Sequence, residues 1–370
     1  SDEAIIKCGS FTTTSTWGNF KEDLGFEPQW LLVKRTDSTD NWGIVDMMRG
    51  VTGPGEMALT DTSTMFSATS ASDDQELQAN SSAAESTQGR GGFYSQGYLG
   101  NFGGFANATY IYVAIRRPHK PASEFDATDL FGMAAQVPAV SGSTGGWNAG
   151  FVTDMALKLE EASANHDINS RLTGTEVLYT DATNIGSASA ISKWDYQEGF
   201  GTSSATYSPH KKALFRRSPE FFDVVTYTGN SSTRNLPHNL GAVPEMMWIK
   251  RRSDFTADWA VYHSAMGNDK ALGLNTDYSY STATSQFGST TPTDSVFTVG
   301  NFSTTNNNGN DYIAYLFASV SGISKVGSYT GTGNDLNVDC GFSSGARFVL
   351  IKRWDRVGGS FGSVGDWYVW

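Results

Sequence analysis

The feature that most restricts this chain is a phrase that it repeats. "LGFEPQWLLVKRTDSTDNW" (24–42) returns as "LGAVPEMMWIKRRSDFTADW" (240–259) and again within "CGFSSGARFVLIKRWDRVGGSFGSVGDW" (340–367). A glycine anchors the copies at Gly25, Gly241 and Gly341, and a worn copy, "AGFVTDMALKLE" (149–160), keeps it at Gly150. A period of about 100 residues is too long for one turn of a solenoid and suits a small domain. Upstream of the anchors lie "KCGSFTTT" (7–14), "VVTYTGNSST" (224–233) and "KVGSYTGTGND" (325–335). Units close on "TYIYVAIRRP" (109–118), "HKKALFRRSP" (210–219) or "DYIAYLFASV" (311–320). The 370 residues therefore divide into units 1–122, 123–218 (the divergent one) and 219–320, followed by a partial unit, 321–370. They read as beads with separate cores and short linkers.

Within a unit the periodicity is that of strands. "YIYVAI" and "DYIAYLF" are rich in β-branched and aromatic residues, which suit a pleated surface. "QWLLVKR", "MMWIKRR" and "RFVLIKR" are apolar on both faces before ending in two cations, the pattern of a central strand covered on both sides. "DWGIVDM" and "DWAVYHS" read as the return strands of hairpins. The expected fold class is all-β: tandem antiparallel β-sandwich repeats, jelly-roll-like, joined by short linkers, with a barrel as the open alternative. Helix is scarce; "DDQELQANSSAAES" (73–86) suits a helical turn or two, or a surface insertion. The partial unit lacks a closing strand, so the expectation is that the chain continues past Trp370 or that a partner supplies the missing strands.

Composition agrees. Charged residues make up 17 % of the chain and aromatics 13 %, with 40 glycines, a loop-rich β composition. With 26 basic and 38 acidic residues the net charge is −12, so nucleic-acid binding would work against the protein's own field. No apolar run is long enough to insert into a membrane as a helix. The sequence opens on serine without a signal-peptide pattern, which fits a fragment or processed product and is expected to say little about export. Cys8 takes the slot of Val224 and Val326, and Cys340 that of Leu24 and Leu240, so both are expected as buried free thiols.

Catalytic templates fail. "GTGNDL" (331–336) lacks the third glycine of a dinucleotide loop, and "GRGGFYSQGYLGNFGG" (89–104) lacks a Lys-Ser/Thr ending. The latter reads as a mobile aromatic loop. The five histidines form no HExxH pair, and no nucleophile elbow accompanies the serines. His238 reads as part of a turn. Asp40, Asp258 and Asp366 precede Trp42, Trp259 and Trp367, and read as turn-capping residues beside core tryptophans. A carboxylate role in glycan cleavage is the alternative. "NNNGND" (306–311) reads as a hairpin loop before a calcium loop. No catalytic residue, cofactor or metal is expected.

What remains is surface contact. The cation pairs Lys34–Arg35, Lys250–Arg251, Lys352–Arg353, Arg116–Arg117 and Arg216–Arg217 read as blunted strand ends and salt-bridge partners, with anion binding as the alternative. Tyr94, Tyr98, Trp147, Trp194 and Tyr278 read as exposed loop aromatics suited to stacking on a glycan.

Taken together, "YTGNSSTRNLPHNLGAVPEMMWIKRRSDFTADWAVYH", "LGLNTDYS", "SVFTVG", "YIAYLFA" and "DLGFEPQWLLVKR" resemble repeat domains in large virion structural proteins of tailed phages, particularly of marine and cyanobacterial hosts. The resemblance spans nearly the whole chain and is weakest at 123–218. It implies a non-enzymatic fibre, tail or capsid appendage on the particle surface. Such a protein would be a homo-oligomer that touches other virion proteins and host-surface glycans. A secreted bacterial carbohydrate-binding or surface-layer protein is the alternative.

Overall fold

The computed structural model describes residues 5–13, 20–24, 28–38, 42–46, 76–80, 92–96, 107–116, 124–136, 145–159, 166–174, 176–188, 192–194, 198–202, 210–355 and 365–370. Among them the chain is all-β, with antiparallel sheets, short 3-10 turns at 127–129, 171–173 and 264–266, and no α-helix. The 1–122 segment holds β1 (Ile6–Thr12), β2 (Phe20–Asp23), β3 (Pro28–Arg35), β4 (Trp42–Asp46), β5 (Glu76–Asn80), β6 (Gly92–Gln96) and β7 (Thr109–Arg116). The next holds β8 (Phe131–Ala135), β9 (Gly145–Asn148), β10 (Met155–Leu159), β11 (Asp167–Ser170), β12 (Glu176–Tyr179), β13 (Ser187–Ala188), β14 (Ser192–Lys193), β15 (Gly199–Thr202) and β16 (Lys211–Phe215). Segment 219–320 holds β17 (Phe222–Thr228), β18 (Arg234–Pro237), β19 (Met246–Arg251), β20 (Ala260–His263), β21 (Lys270–Ala271), β22 (Ser281–Thr282), β23 (Val296–Val299) and β24 (Asp311–Phe317). A hairpin of β25 (Leu350–Ile351) and β26 (Tyr368–Val369) ends the chain.

The larger sheets run β1-β7-β3-β4, β8-β16-β10-β11-β12-β13 and β17-β24-β19-β20. In each, the first strand of its segment pairs with the last, and the last pairs with the strand that follows the anchor glycine. The second strand pairs with the penultimate one in a separate small sheet: β2 with β6, β9 with β15, β18 with β23. Every described strand order is linear with two edges, so the barrel alternative does not apply to these sheets. Residues 76–80, expected as a helical turn or two or as a surface insertion, are strand β5 and not helix. In-register pairing with β6 from Glu76↔Gln96 to Asn80↔Gly92 satisfies its backbone. Within 89–104, likewise, residues 92–96 are strand rather than loop.

Central strands are apolar on both faces because both faces are covered. On one face of the β10/β16 sheet, Ala156 and Leu214 pack with Trp147, Trp194 and Phe200 beside the small β14-β15-β9 sheet. On one face of the β19/β24 sheet, Met247, Ile249, Tyr312 and Ala314 pack with Leu236 and Phe297 of β18 and β23. The opposite faces of these two large sheets meet each other. Met155, Leu157, Ala213 and Phe215 share one cluster with Phe222, Val224, Trp248, Ile313 and Tyr315, and Phe348, Leu350 and Trp367 of the last segment pack against it.

This differs from beads with separate cores. Segments 123–218, 219–320 and 321–370 share an interior, since each sheet presents a second apolar face that only a neighbouring sheet can cover. Each fully buried Phe or Leu there is worth about 1.5–3 kcal/mol in transfer from water, so the junction is as strongly held as a domain core.

The expectation of two buried thiols also changes. Both cysteines are free, but Cys8 is exposed and Cys340 half-buried. Cys8 lies with Ile6 and Ser10 on an open face of β1. Cys340 lies in the coil before β25.

Candidate functional site

The repeated phrase places its polar groups at the junctions between segments. Lys250, at the end of β19, is fully buried. Its ammonium donates to the carbonyl oxygen of Ala257 in its own hairpin loop and to that of Thr183 in the preceding segment, the latter at 2.9 Å. Burial lowers this ammonium to about 8, and two carbonyl acceptors stand where water would otherwise solvate it. Arg251 closes the same loop, its guanidinium donating to the carbonyls of Phe255 (2.8 and 3.0 Å) and Thr256 (3.0 Å). Trp259, 1 % exposed, donates its indole N–H to Tyr179 O at 2.8 Å, and Ala257 N donates to Thr183 O at 3.0 Å.

The last copy repeats this geometry. Lys352 donates to the carbonyl oxygens of Gly365 and of Thr276 in the preceding segment, the latter at 3.3 Å. Trp367 donates to Gly273 O at 2.9 Å. In both copies the Lys and the Trp reach back to grip a loop of the segment before. The Asp that precedes each Trp is exposed; Asp258 accepts from the Asn275 amide at 2.7 Å, and Asn275 Oδ1 accepts from Trp259 N at 2.9 Å. That is turn capping. Asp40 lies outside the described residues.

Two buried ionic clusters tie segment 123–218 to 219–320. Arg252 Nε lies 2.7 Å from Glu176 Oε2, with both side chains at most 8 % exposed. Burial pushes the carboxyls of Glu176 and Asp311 upward, and for Glu176 the nearby Asp311 adds to the push. Arg217 Nε donates to Asp223 Oδ1 at 2.7 Å, while its backbone N donates to Asp154 Oδ2 at 2.7 Å. Burial alone would raise the Asp223 carboxyl. The Arg217 charge, the Asn239 N–H at 2.8 Å and Arg217's own hydrogen bond outweigh it and hold the group below the usual range. Arg252, Glu176, Asp154 and Asp223 were not singled out from sequence. Their signal is a charge inside or beside an apolar run, as in "EVLY" and "FFDVV".

The five aromatic candidates separate. Trp147 and Trp194 are each 4 % exposed, not surface loop residues. They fill the space between two sheets with Phe200, whose ring centroid is 5.8 and 4.7 Å from theirs. Lys212 Nζ lies 5.1 Å from the Trp147 ring and the Arg171 guanidinium 5.1 Å from the Trp194 ring, both cations being buried. Trp194 donates to Gly174 O at 2.6 Å. Their rings are spent on packing. Tyr278 is 43 % exposed. Tyr94 stands in β6 opposite Lys21 and Gln78, and Tyr98 lies outside the described residues.

Other candidates are likewise structural. His238 is buried in its turn, Nδ1 accepting from Leu240 N at 3.1 Å and Nε2 3.2 Å from Thr293 O. In the 306–311 loop, Asn306 Oδ1 accepts from Asn230 N at 3.0 Å and its amide donates to Ser232 O at 2.7 Å. A Cβ on Gly229 would lie 2.1 Å from Asn307 O, so the loop is closed against its neighbour. Among the cation pairs, Arg35 binds Asp37, Arg216 stacks 4.5 Å from the Phe125 ring and Arg353 lies 3.6 Å from Asp355. Arg117 is outside the described residues. A cleft of about 600 Å³ opens at Phe125, Asp126, Glu220, Gly241, Val320 and Ile323. Its lining carries two carboxylates and neither histidine nor cation. Among the described residues, no group of three or more His, Cys, Asp or Glu is placed to hold a metal ion, and no helix is long and apolar enough to cross a membrane.

The sequence model of one family, described as Domain of unknown function (DUF7483), matches residues 3–115 and 147–367. The chain belongs to the DUF7483 family. No curated protein and no solved structure matches it. The DUF7483 match takes in the whole of the Lys250–Trp259 and Lys352–Trp367 junctions.

Proposed function

We propose that this DUF7483 chain is a non-enzymatic structural protein of a tailed-phage virion. The segments are tandem jelly-roll-like sandwiches that build a fibre, tail or capsid appendage on the particle surface and contact other virion proteins and the host. The observation that carries this reading is the reuse of one motif, Lys with Trp, to grip the preceding segment at two successive junctions. A chain that spends its repeated polar residues on joining like units is built for reach and rigidity. The nested pairing of first with last and second with penultimate strands supports the jelly-roll-like reading, and the resemblance of the repeated phrases supports the virion assignment.

Purified virions of the phage that encodes the chain, labelled with a gold-conjugated antibody against residues 219–320, should carry gold on one class of appendage. Gold-free particles, with the protein found only in the infected cell, would sink the proposal. The surface candidate for a host-glycan contact is Tyr278, which is 43 % exposed.

A further inference from the structure

The three large sheets can be superposed residue by residue through their registers. In the third, Phe222↔Phe317, Val224↔Tyr315 and Thr226↔Ile313 point to one face, with Met246, Trp248 and Lys250 beside them. In the second, Phe131↔Phe215 and Met133↔Ala213 take these places, with Met155 and Leu157 beside them. In the first, Ile6↔Ile115, Cys8↔Val113 and Ser10↔Ile111 do so, with Trp30, Leu32 and Lys34 alongside. The final hairpin keeps the same phase, since Leu350↔Val369 repeats Trp248↔Val261.

In the second and third sheets and the hairpin most of this face points into one shared interior, with Met133 and Val369 at its rim, 37 % and 41 % exposed. Phe215 and Phe317, equivalent residues of two segments, approach to 6.1 Å. Phe348 of the hairpin lies 5.7 Å from Phe131 and 6.1 Å from Phe215. Segments 219–320 and 321–370 also each grip the one before with a Lys and a Trp. Three like faces therefore meet around one core, and like units that meet through one repeated face are what a cyclic assembly is made of.

The first sheet has the same face without that cover. Phe222, Val224 and Ile313 are each 0 % exposed; their equivalents Ile6 and Ile111 are 55 % and 42 % exposed, and Cys8 is exposed. The opposite face of the same sheet is closed by Tyr110, Tyr112, Leu31 and Val33, so the sheet holds together without it. Open apolar faces of this kind mark interaction sites. What covers this face elsewhere in the molecule is the same face of a like sheet.

We infer that the first segment is a self-assembly module: three copies of the chain join through the Ile6, Cys8, Ile111, Val113 and Ile115 face, in the three-way arrangement that segments 123–370 form within one chain. This does not depend on the virion assignment, and immunolabelling and oligomeric state can fail separately.

The test is sedimentation equilibrium of the intact chain, with Cys340→Ser introduced so that Cys8 is the sole thiol. The expected species has three times the 39.9 kDa mass of one chain. Ile111→Asp, and separately Ile6→Asp, should reduce it to monomer with an unchanged far-UV circular dichroism spectrum. Both side chains point away from the closed face, so folding should tolerate them. Cys8 should react with a thiol reagent at least ten-fold more slowly in the assembly than in the Ile111→Asp monomer. A chain that is monomeric or dimeric at every concentration overturns the inference. So does a trimer that survives both substitutions with Cys8 equally reactive.

Discussion

Trp259 donates its indole N–H to the carbonyl oxygen of Tyr179, eighty residues earlier, across 2.8 Å. Trp367 does the same to Gly273 at 2.9 Å. Trp259→Phe keeps an aromatic ring in the shared core but removes the donor, leaving Tyr179 O with the longer 3.5 Å hydrogen bond from Ala182 N, at a cost of about 0.5–1.5 kcal/mol. The urea midpoint should fall accordingly, as a shift of one transition that segments 123–218 and 219–320 cross together. Separate transitions, with only the later one moved, would show that the junction is not cooperative.

How much of this was legible in the sequence depends on the residue. Leu31, Trp248 and Ile249 sit in strands that their apolar runs announce, and the hairpins that follow them close where the polar "TDSTDN" and "SDFTAD" loops fall. The two-faced apolar pattern of β19 said that both sides are covered. It did not say that the second cover is another segment, because periodicity reports burial and not the identity of the partner. Trp147 and Trp194 were misplaced for a related reason. They look like loop residues in the sequence, while short β9, which holds Trp147, and β14, which Trp194 directly follows, deliver them into an interior with Lys212 and Arg171. Cys8 shows the converse error: a slot filled by valine in a covered copy need not be covered in every copy.

Arg252→Ala should be among the most damaging single changes. It strands Glu176 beside Asp311 in the interior, and removing one partner of a buried pair costs about 3–5 kcal/mol. Glu176→Gln in the same background should restore part of the loss, because it removes the charge left behind. A double-mutant cycle read from urea unfolding at pH 7 checks this; additivity of the two changes would mean that the pair is not coupled.

Stability should also fall in acid through Asp223. Its folded carboxyl titrates below its unfolded value, so its contribution is present above the ordinary carboxylate pKa of about 4 and is lost as pH falls through the folded value. Asp223→Asn should therefore be less stable than wild type at pH 7, with the gap narrowing steadily as pH falls below about 4. Chemical denaturation of both proteins across that range provides the measurement. A gap of constant size would assign the loss to packing instead of charge.

Trp147 and Tyr278 make opposite predictions for glycan recognition. Trp147 is buried against Phe200 and His210, and its indole N–H donates to His210 O at 3.3 Å. Trp147→Ala should cost about 3–5 kcal/mol, as large-to-small changes in a core do. Any loss of glycan binding in that variant would follow its lost fold and appear together with a lowered unfolding midpoint. Tyr278 is 43 % exposed, and Tyr278→Ala should cost no more than about 1 kcal/mol, well short of the Trp147→Ala loss. If the chain grips host glycan through this surface, glycan-array signal should drop in Tyr278→Ala while stability holds. If signal and midpoint are both unchanged, Tyr278 is not the contact, and recognition would have to come from another surface.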